Sequence, residues 1–227
     1  AFPEYGVRPV GVKIHAPQRF PDVFRPWTQS EAQKVSGSGV VIAGNRILTN
    51  AHVVRNAREI YVQPYQKSDM LEAKVVGFAR GIDLAVLELE DPTRADFPGH
   101  VEIDGTLPNV QDQVSVYGYP MGGDELSVTK GIVSRIEFTG YYDQTAGLRL
   151  QVDAALNPGN SGGPAFVNDR MIGLVFSGIP QSQSSGYLIP GEEIQLFLDD
   201  VADGTYDGKP MLLDSLQTME NSAIRAK

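Results

Sequence analysis

The chain of 227 residues contains no cysteine, only three histidines and a single tryptophan. The absence of cysteine excludes thiolate catalysis and zinc sites built from thiolates. The scarcity of histidine restricts any imidazole base to His15, His52 or His100. A mechanism that needs a histidine must therefore draw it from the first half of the chain.

Basic residues and long apolar runs are also scarce. The chain has 19 Lys and Arg against 28 Asp and Glu, which gives a net charge of -9. This balance disfavours nucleic acid or an anionic membrane as the main partner. No apolar run approaches the ~20 residues that a membrane-spanning helix needs. The composition predicts a globular protein without a membrane span, and no phosphate-binding loop or metal-ligand cluster points to a cofactor.

A glycine-rich turn surrounds one serine, in the segment Asn157-Pro158-Gly159-Asn160-Ser161-Gly162-Gly163-Pro164. Glycine permits positive φ and the close approach of another backbone, and the flanking prolines fix the entry and exit. The N–H groups of Gly159 and Ser161 could form an oxyanion hole beside a nucleophilic Ser161. The alternative is an ordinary surface turn, because these residue types are the commonest in turns.

The order of the catalytic groups along the chain separates the possible hydrolase folds. The turn also fits the G-x-S-x-G elbow of α/β-hydrolases, but their order requires a histidine after the serine, and none follows Ser161. The subtilisin order needs an aspartate ahead of the histidine, and Asp22, in a loop-like stretch, is the only one before His52. The remaining order of His, Asp and Ser is that of chymotrypsin-like double barrels.

His52 and Asp83 are the best base and acid in that order. His52 lies three residues after the apolar run Ile47-Leu48-Thr49, at a predicted strand end, whereas a histidine satisfied inside a core is the alternative. Asp83 begins the buried run Asp83-Leu84-Ala85-Val86-Leu87, where its alternative role is an ordinary aspartate at a strand start. A half-buried carboxylate beside an imidazole holds the correct tautomer and stabilises the imidazolium. We therefore predict a triad of His52, Asp83 and Ser161.

Short apolar runs separated by turn residues predict an all-β fold. We expect two six-stranded antiparallel barrels of the chymotrypsin type, at about 10–90 and 112–200, joined by a linker over 91–111. The first barrel is predicted from strands at 10–15, 39–43, 46–49, 59–63, 71–78 and 84–89. The second is predicted from strands at 114–117, 127–136, 148–152, 165–167, 171–177 and 186–189. The segment 190–201 is predicted to be the C-terminal helix, with Pro190 at its start.

Four motifs in this order resemble the HtrA/Deg serine proteases. They are Thr49-Asn50-Ala51-His52-Val53-Val54, Asp83 to Leu87, Val128 to Ser134, and Asn157 to Pro164. The segment Tyr117 to Asp124 and the pair Pro26-Trp27 look closest to the plant organellar Deg branch and its bacterial relatives. The resemblance implies an ATP-independent endopeptidase for unfolded or damaged proteins, with an oxyanion hole from the backbone of Gly159, Asn160 and Ser161.

The resemblance also implies a substrate pocket. By position, Leu156 and the strand residues Leu174, Val175 and Phe176 should line S1, which favours a small or medium aliphatic P1 residue. A cationic P1 residue would need a buried acid, and no Asp or Glu lies between Ala155 and Asn168.

Assembly and location follow from the same resemblance. It implies a homotrimer or higher oligomer formed through N-terminal aromatics, for which Phe2, Tyr5 and the loop from Phe20 to Trp27 are candidates. It also implies PDZ domains after the protease. Residues 205–227 are therefore interpreted as a linker and the start of a truncated PDZ domain, following a protease domain at 1–204. A periplasmic or otherwise exported protein is expected, with an organelle lumen as the alternative.

One departure from the family concerns the regulatory loop at 137–147, which contains no Arg or Lys, although several relatives use an arginine there. Two rival functions remain open beside the quality-control protease. One is a peptide-binding chaperone or scaffold with a latent protease site. The other is a processing protease dedicated to one substrate.

Overall fold

The computed structural model describes residues 10–22, 24–25, 27–28, 31, 33–121, 123, 125–176, 186–210 and 223. Within these ranges the chain forms two closed antiparallel barrels of six strands each. The first contains β1 (Gly11–His15), β2 (Ser36–Ile42), β3 (Arg46–Thr49), β4 (Ile60–Pro64), β5 (Leu71–Ala79) and β6 (Leu84–Leu89). The second contains β7 (Gln113–Gly118), β8 (Ser127–Gly140), β9 (Ala146–Val152), β10 (Pro164–Val167), β11 (Arg170–Phe176) and β12 (Gly186–Pro190). The prediction of two six-stranded barrels is confirmed.

Each barrel closes around the inward face of its strands. β1 pairs with both β2 and β4, and β10 pairs with both β11 and β7, so neither sheet has a free edge. Burial along β4 alternates between buried and half-buried residues, as the two-residue period of a pleated strand requires. β-Bulges between Val75 and Gly77 in β5 and between Val133 and Arg135 in β8 supply local curvature.

The barrels have separate interiors and share one apolar interface. The interior of the second barrel is a cluster of small and medium apolar side chains that includes Val116, Leu150 and Val175. A larger cluster fills the first barrel and continues to Leu174 and Phe176 on β11. Because it spans both halves, removal of this apolar surface from water holds the barrels side by side and fixes the cleft between them.

Two α-helices are named among the described residues, and the sequence predicted only one of them. α2 (Gly191–Asp200) follows Pro190 and carries Glu192 and Glu193 in its first turn, close to the predicted 190–201. α1 (Ala51–Val54) is a single turn directly after β3, at the place where a strand end was predicted. A helix of four residues is too short to produce an apolar period, and this explains why the pattern did not reveal it.

The predicted regulatory loop at 137–147 is mostly a β-hairpin. β8 is 14 residues long and continues to Gly140, and it pairs with β9 from Glu137 opposite Arg149 to Gly140 opposite Ala146. Arg149 forms an ion pair with Glu137 at 2.9 Å and stacks over the Tyr187 ring at 4.3 Å. These cross-strand contacts extend the ladder beyond the predicted end at residue 136.

The segment between the barrels is bound to both of them. Val101 forms a parallel bridge with Ile42 at the end of β2, and Ile103 forms another with Met171 on β11. None of the helices within the described ranges has the length and apolar character needed to cross a bilayer. Phe2 and Tyr5, and all of the predicted tail beyond residue 210 except residue 223, lie outside the described residues.

Candidate active site

His52 lies on the one-turn helix α1 at the mouth of the first barrel. Asn50 precedes the helix in an extended conformation, and the turn is closed by the N–H of Arg55, which donates to the carbonyl of Ala51 at 2.9 Å. The side chain of His52 is 26% exposed, so the imidazole has one face towards solvent and one towards the protein.

Asp83 lies beside His52 because β3 and β6 are neighbouring strands. The aspartate directly precedes β6, where Ala85 pairs with Thr49 of β3. Asp83 Oδ2 is 2.7 Å from His52 Nδ1, and Oδ1 accepts a hydrogen bond from the His52 backbone N–H at 2.8 Å. The carboxylate is almost fully buried. A carboxylate at Nδ1 fixes the tautomer of the imidazole and leaves Nε2 as its basic nitrogen.

The backbone at Asp83 is held in an unusual conformation. Its φ is +60°, in the left-handed region that non-glycine residues seldom adopt and that Asp tolerates better than most. Its carbonyl accepts hydrogen bonds from Asn50 Nδ2 at 3.0 Å and from the Ala51 N–H at 3.2 Å. Together with the two bonds to His52, these contacts over-determine the position of the acid, which is how a strained residue persists.

Ser161 lies on the glycine-rich turn between β9 and β10 in the second barrel. Gly159 and Gly162 have φ values of +99° and +83°. A Cβ at Gly159 would lie 2.5 Å from the Met121 N atom, and one at Gly162 would clash with the Ser38 carbonyl. Only glycine fits at these two positions, because both the φ angle and the space forbid a side chain.

Ser38 of β2 joins the nucleophile turn to the first barrel. Its hydroxyl donates to the Gly159 carbonyl at 2.8 Å and accepts from the Tyr119 N–H at 2.8 Å. Its backbone N–H donates to the Ser161 carbonyl at 2.8 Å. Sequence reasoning missed this residue. The available signal was the run Ser36-Gly37-Ser38-Gly39 inside a strand, since glycine in a strand often marks a close backbone approach.

The same contact brings the serine close to the helix that carries His52. A Cβ at Gly37 would lie 2.7 Å from Val53 Cγ1 and 3.4 Å from the Ser161 carbonyl oxygen. The Val53 side chain, next to His52, and the backbone of Ser161 therefore meet at Gly37. The structure thus brings the Ser161 turn of the second barrel beside the helix of the first barrel that carries His52.

The predicted oxyanion hole retains two of its three donors. The Asn160 N–H donates to the Asn157 carbonyl at 3.0 Å, so it is used within the turn and does not fit the predicted role. The Pro158 carbonyl accepts from the Met121 N–H at 2.8 Å. Because a trans peptide is planar, the Gly159 N–H points to the side opposite Met121. Gly159 and Ser161 remain the candidate donors.

The predicted S1 residues differ in their accessibility. Leu174 lies in the cluster between the barrels, and Val175 lies in the interior of the second barrel. Phe176 is also buried, with its ring 5.2 Å from that of Tyr141. An S1 role for these three side chains does not fit their packing, because alternation along β11 directs them into packed interiors. Leu156 remains a candidate for the S1 wall because its side chain is only half-buried. It lies against Gly186, where a Cβ would clash with it.

A small cavity of about 50 Å³ adjoins the acid and the base. Its lining includes His52, Asp83, Arg55, Tyr142 and Asp143, so the β8–β9 hairpin reaches across from the second barrel. Burial, with a smaller contribution from the negative charge of Asp83, raises the pKa of Tyr142. The phenol therefore stays neutral beside the acid at ordinary pH. A much larger cavity of about 930 Å³ lies along Pro98–Gly105, away from the triad.

Comparison with known proteins agrees with this fold. The model of the trypsin-like peptidase domain matches residues 37–174. A mitochondrial Do-like 4 protease from Arabidopsis thaliana is 41% identical over 216 residues, which is 94% of this chain and 42% of that protein. A chloroplastic Do-like 2 protease from the same plant is 40% identical over 224 residues, with coverages of 94% and 36%.

Matches with lower sequence identity are also proteases. A DegP homologue from Plasmodium falciparum is 36% identical over 216 residues, covering 94% of this chain and 25% of that protein. The chain therefore spans less than half the length of these three curated relatives. Among solved structures, an HtrA-type protease with a decapeptide superimposes with a TM-score of 0.73 at 24% identity, covering 88% of this chain and 65% of the other. A protease from M. tuberculosis in its active form gives 0.69 at 24% identity, with coverages of 85% and 81%.

Proposed function

Because the chain belongs to the trypsin-like peptidases of the HtrA/Deg type, we propose that it is a serine endopeptidase with Ser161 as nucleophile, His52 as general base and Asp83 as orienting acid. The observation that carries the proposal is the 2.7 Å contact between Asp83 Oδ2 and His52 Nδ1 at the cleft where the Ser161 turn arrives. A buried carboxylate bonded to a partly exposed imidazole is the arrangement that acyl transfer by serine requires.

The mechanism follows from these positions. Ser161 Oγ attacks the carbonyl carbon of the scissile peptide while its proton passes to His52 Nε2, and Asp83 stabilises the imidazolium that forms. The N–H groups of Gly159 and Ser161 stabilise the negative charge on the tetrahedral intermediate. The C–N bond then breaks, the amine leaves with the proton from His52, and an acyl-enzyme remains on Ser161. Water activated by His52 releases the acyl group by the same steps.

We further propose that the substrates are unfolded or damaged proteins, cleaved without ATP and after small or medium aliphatic P1 residues. The half-buried Leu156 and the lack of an acid between Ala155 and Asn168 support an apolar S1 wall. Plant relatives with mitochondrial and chloroplastic names favour an organelle lumen over the periplasm for this chain.

Assembly is a separate part of the proposal. Phe24 and Trp27 are 92% and 81% exposed, and large exposed aromatics are costly unless another surface covers them. We infer a homotrimer or higher oligomer through this loop. The residues at 205–227 are proposed to begin a PDZ domain.

A casein digest with matched variants tests the activity. The wild-type chain should cut unfolded β-casein into fragments, and Ser161→Ala should lower the rate by about 10⁴-fold or more while still binding casein. Ser134→Ala, at an exposed position on β8, is the control and should cleave as the wild type does. Casein binding without cleavage by the wild type would support a chaperone instead. Cleavage of one specific protein but not casein would indicate a dedicated processing protease.

A further inference from the structure

The segment after α2 folds back onto the protease domain. Gly204 has a φ of +90° and reverses the chain. The carboxylate of Asp200 then accepts hydrogen bonds from the N–H groups of Asp207 and Gly208, at 3.2 and 2.9 Å. The ring of Tyr206 packs edge-on against Phe197 of α2, with 5.9 Å between centroids. These contacts dock residues 204–210, called here the return segment.

The return segment delivers a lysine to a buried carboxylate. Glu193 of α2 is only 4% exposed. Its Oε2 is 2.6 Å from Lys209 Nζ, and its Oε1 accepts from Lys209 Nζ and from the Leu148 N–H, both at 2.8 Å. A buried carboxylate is costly unless it is paired and hydrogen-bonded. Lys209 supplies the paired cation at this position.

Glu193 joins the return segment to the β8–β9 hairpin close to its turn at 141–145. Leu148 lies on β9 directly after Gly147, and a Cβ at Gly147 would lie 2.7 Å from Glu193 Oε1 and 3.0 Å from Lys209 Nζ. The Leu148 carbonyl accepts from the Tyr141 hydroxyl at 2.6 Å. The start of β9, α2 and the return segment therefore meet around one carboxylate.

The tip of the same hairpin supports the turn that carries the catalytic acid. The Tyr142 N–H donates to the Gly81 carbonyl at 3.0 Å, and Asp143 pairs with Arg80 at 3.1 Å. Tyr142 and Asp143 also line the small cavity beside His52 and Asp83. A shift of the hairpin would move residues 80–83 and, with them, the acid.

A second contact leads to the same turn. Ile82 is almost fully buried and directly precedes Asp83. It lines a cavity of about 170 Å³ together with Phe197, Tyr206 and Lys209. The return segment thus lies behind the acid-bearing turn as well as beside the start of β9.

We propose that Lys209 is a positioning residue: by pairing with Glu193 it locks the return segment to the β8–β9 hairpin and thereby holds Asp83 against His52. Undocking of the return segment leaves the Glu193 carboxylate without its cation, loosens the hairpin and slows acylation of Ser161. The expected effect on catalysis rests on the proposed function. The coupling between the return segment and the β8–β9 hairpin does not.

The test compares Lys209→Met and Lys209→Arg in the 227-residue chain with Lys67→Met as control. Lys67 pairs with Asp96 at 2.7 Å in the first barrel, but Asp96 is 90% exposed, so that pair should contribute little. Amide hydrogen exchange at 141–148 and 80–83 should become about tenfold faster in Lys209→Met, remain near wild type in Lys209→Arg, and stay unchanged in Lys67→Met.

Inactivation by a fluorophosphonate gives the second readout. Its first-order rate constant should fall about tenfold in Lys209→Met while the affinity for the reagent stays constant, and Lys209→Arg should restore it. If Lys209→Met does not fold, the double variant Glu193→Gln with Lys209→Met removes the unpaired charge as well as the link, and should still show fast hairpin exchange. Wild-type exchange at 141–148 in a folded variant that lacks the link would overturn the inference. A wild-type chain that the reagent never labels would instead contradict the proposed function, while the exchange data still decide the coupling.

Discussion

The two barrels contribute to the cleft in different ways. The first contributes two side chains, His52 and Asp83, which are joined by two hydrogen bonds and lie at the ends of adjacent strands. The second contributes a backbone turn, whose carbonyls are held from outside by Ser38 and Met121. The acid-base pair is assembled within one barrel, whereas the nucleophile turn needs partners from elsewhere.

This difference indicates where the site is rigid and where it can change. Asp83 accepts four hydrogen bonds, all from residues 50–52. The Ser161 turn depends on β2 of the other barrel and on the segment around Met121, so a movement of either element would disturb it. Variants of the acid–base pair should remove chemistry, and variants of the residues that hold the Ser161 turn should alter its geometry.

Asp83→Asn should have the largest effect among these contacts. Asparagine keeps the size of the side chain and tolerates the left-handed backbone at this position. It can, however, donate to Nδ1 and so favours the wrong imidazole tautomer, which costs about 10⁴-fold in turnover in enzymes with this triad. Casein cleavage measures the loss. A decrease of less than about tenfold would show that Asp83 does not orient His52.

Ser38→Ala tests the link between the barrels. The substitution removes the hydroxyl that the Gly159 carbonyl and the Tyr119 N–H share. We expect acylation of Ser161 to slow by about tenfold to a hundredfold, because small misplacements of reacting groups are costly. The free energy of unfolding should fall by about 1–3 kcal/mol, since a buried N–H loses its partner. The same loss of stability with an unchanged acylation rate would mean that Ser38 is only structural.

Asn50→Ala should have a smaller effect on the first barrel. It deletes one of four hydrogen bonds to Asp83 and leaves both bonds to His52 in place. A loss of about 1 kcal/mol predicts a decrease of roughly fivefold in acylation rate. Asn109→Ala, at an exposed position between the barrels, is the control and should have no effect. If Asn50→Ala slowed acylation as much as Ser38→Ala, the position of the acid–base pair would not be more strongly determined than that of the Ser161 turn.

Alkaline pH should lower the stability of the folded chain through the buried phenols of the second barrel. Burial raises the pKa of Tyr119 to about 12 from its ordinary 10.0, and it also raises the pKa values of Tyr141 and Tyr142. Between pH 10 and 12 the unfolded chain releases the Tyr119 proton and the folded chain keeps it. Stability is therefore complete below pH 10 and falls above it, by at most about 1.4 kcal/mol per pH unit for this group.

Tyr119→Phe should reduce that slope. Chemical denaturation at pH 9, 10, 11 and 12 measures the free energy of unfolding of both proteins. The variant should lose less stability than the wild type between pH 10 and 12. Parallel curves would show that the Tyr119 phenol titrates alike in the folded and unfolded chains.

Local sequence patterns predicted much of the fold. Strands β3 and β6 were predicted with the bounds that the structure has, because each is a short apolar run ended by turn residues. Order and spacing also selected His52, Asp83 and Ser161 from few alternatives, and the structure pairs Asp83 with His52 and brings the Ser161 turn beside the helix that carries His52. Their catalytic roles remain predictions.

The features that sequence reasoning missed depend on contacts between distant residues. Ser38 contacts the carbonyl of Gly159, 121 positions later, and no local pattern encodes such a contact. The extension of β8 depends on Arg149 across the hairpin. Leu174 and Val175 were predicted for S1 from their position alone, but the packing of two barrels decides which face of β11 is buried.

Active-site labelling tests the central claim most directly. The wild-type chain and His52→Ala are treated with a fluorophosphonate, and the modified residue is identified by peptide mass spectrometry. If Ser161 is a nucleophile activated by His52, each wild-type chain should carry one label, on Ser161. Labelling should be slower by a factor of about 10⁴ in His52→Ala. An unlabelled wild type, a label on another residue, or equal labelling of the two proteins would contradict the claim that His52 and Ser161 form one catalytic unit across the two barrels.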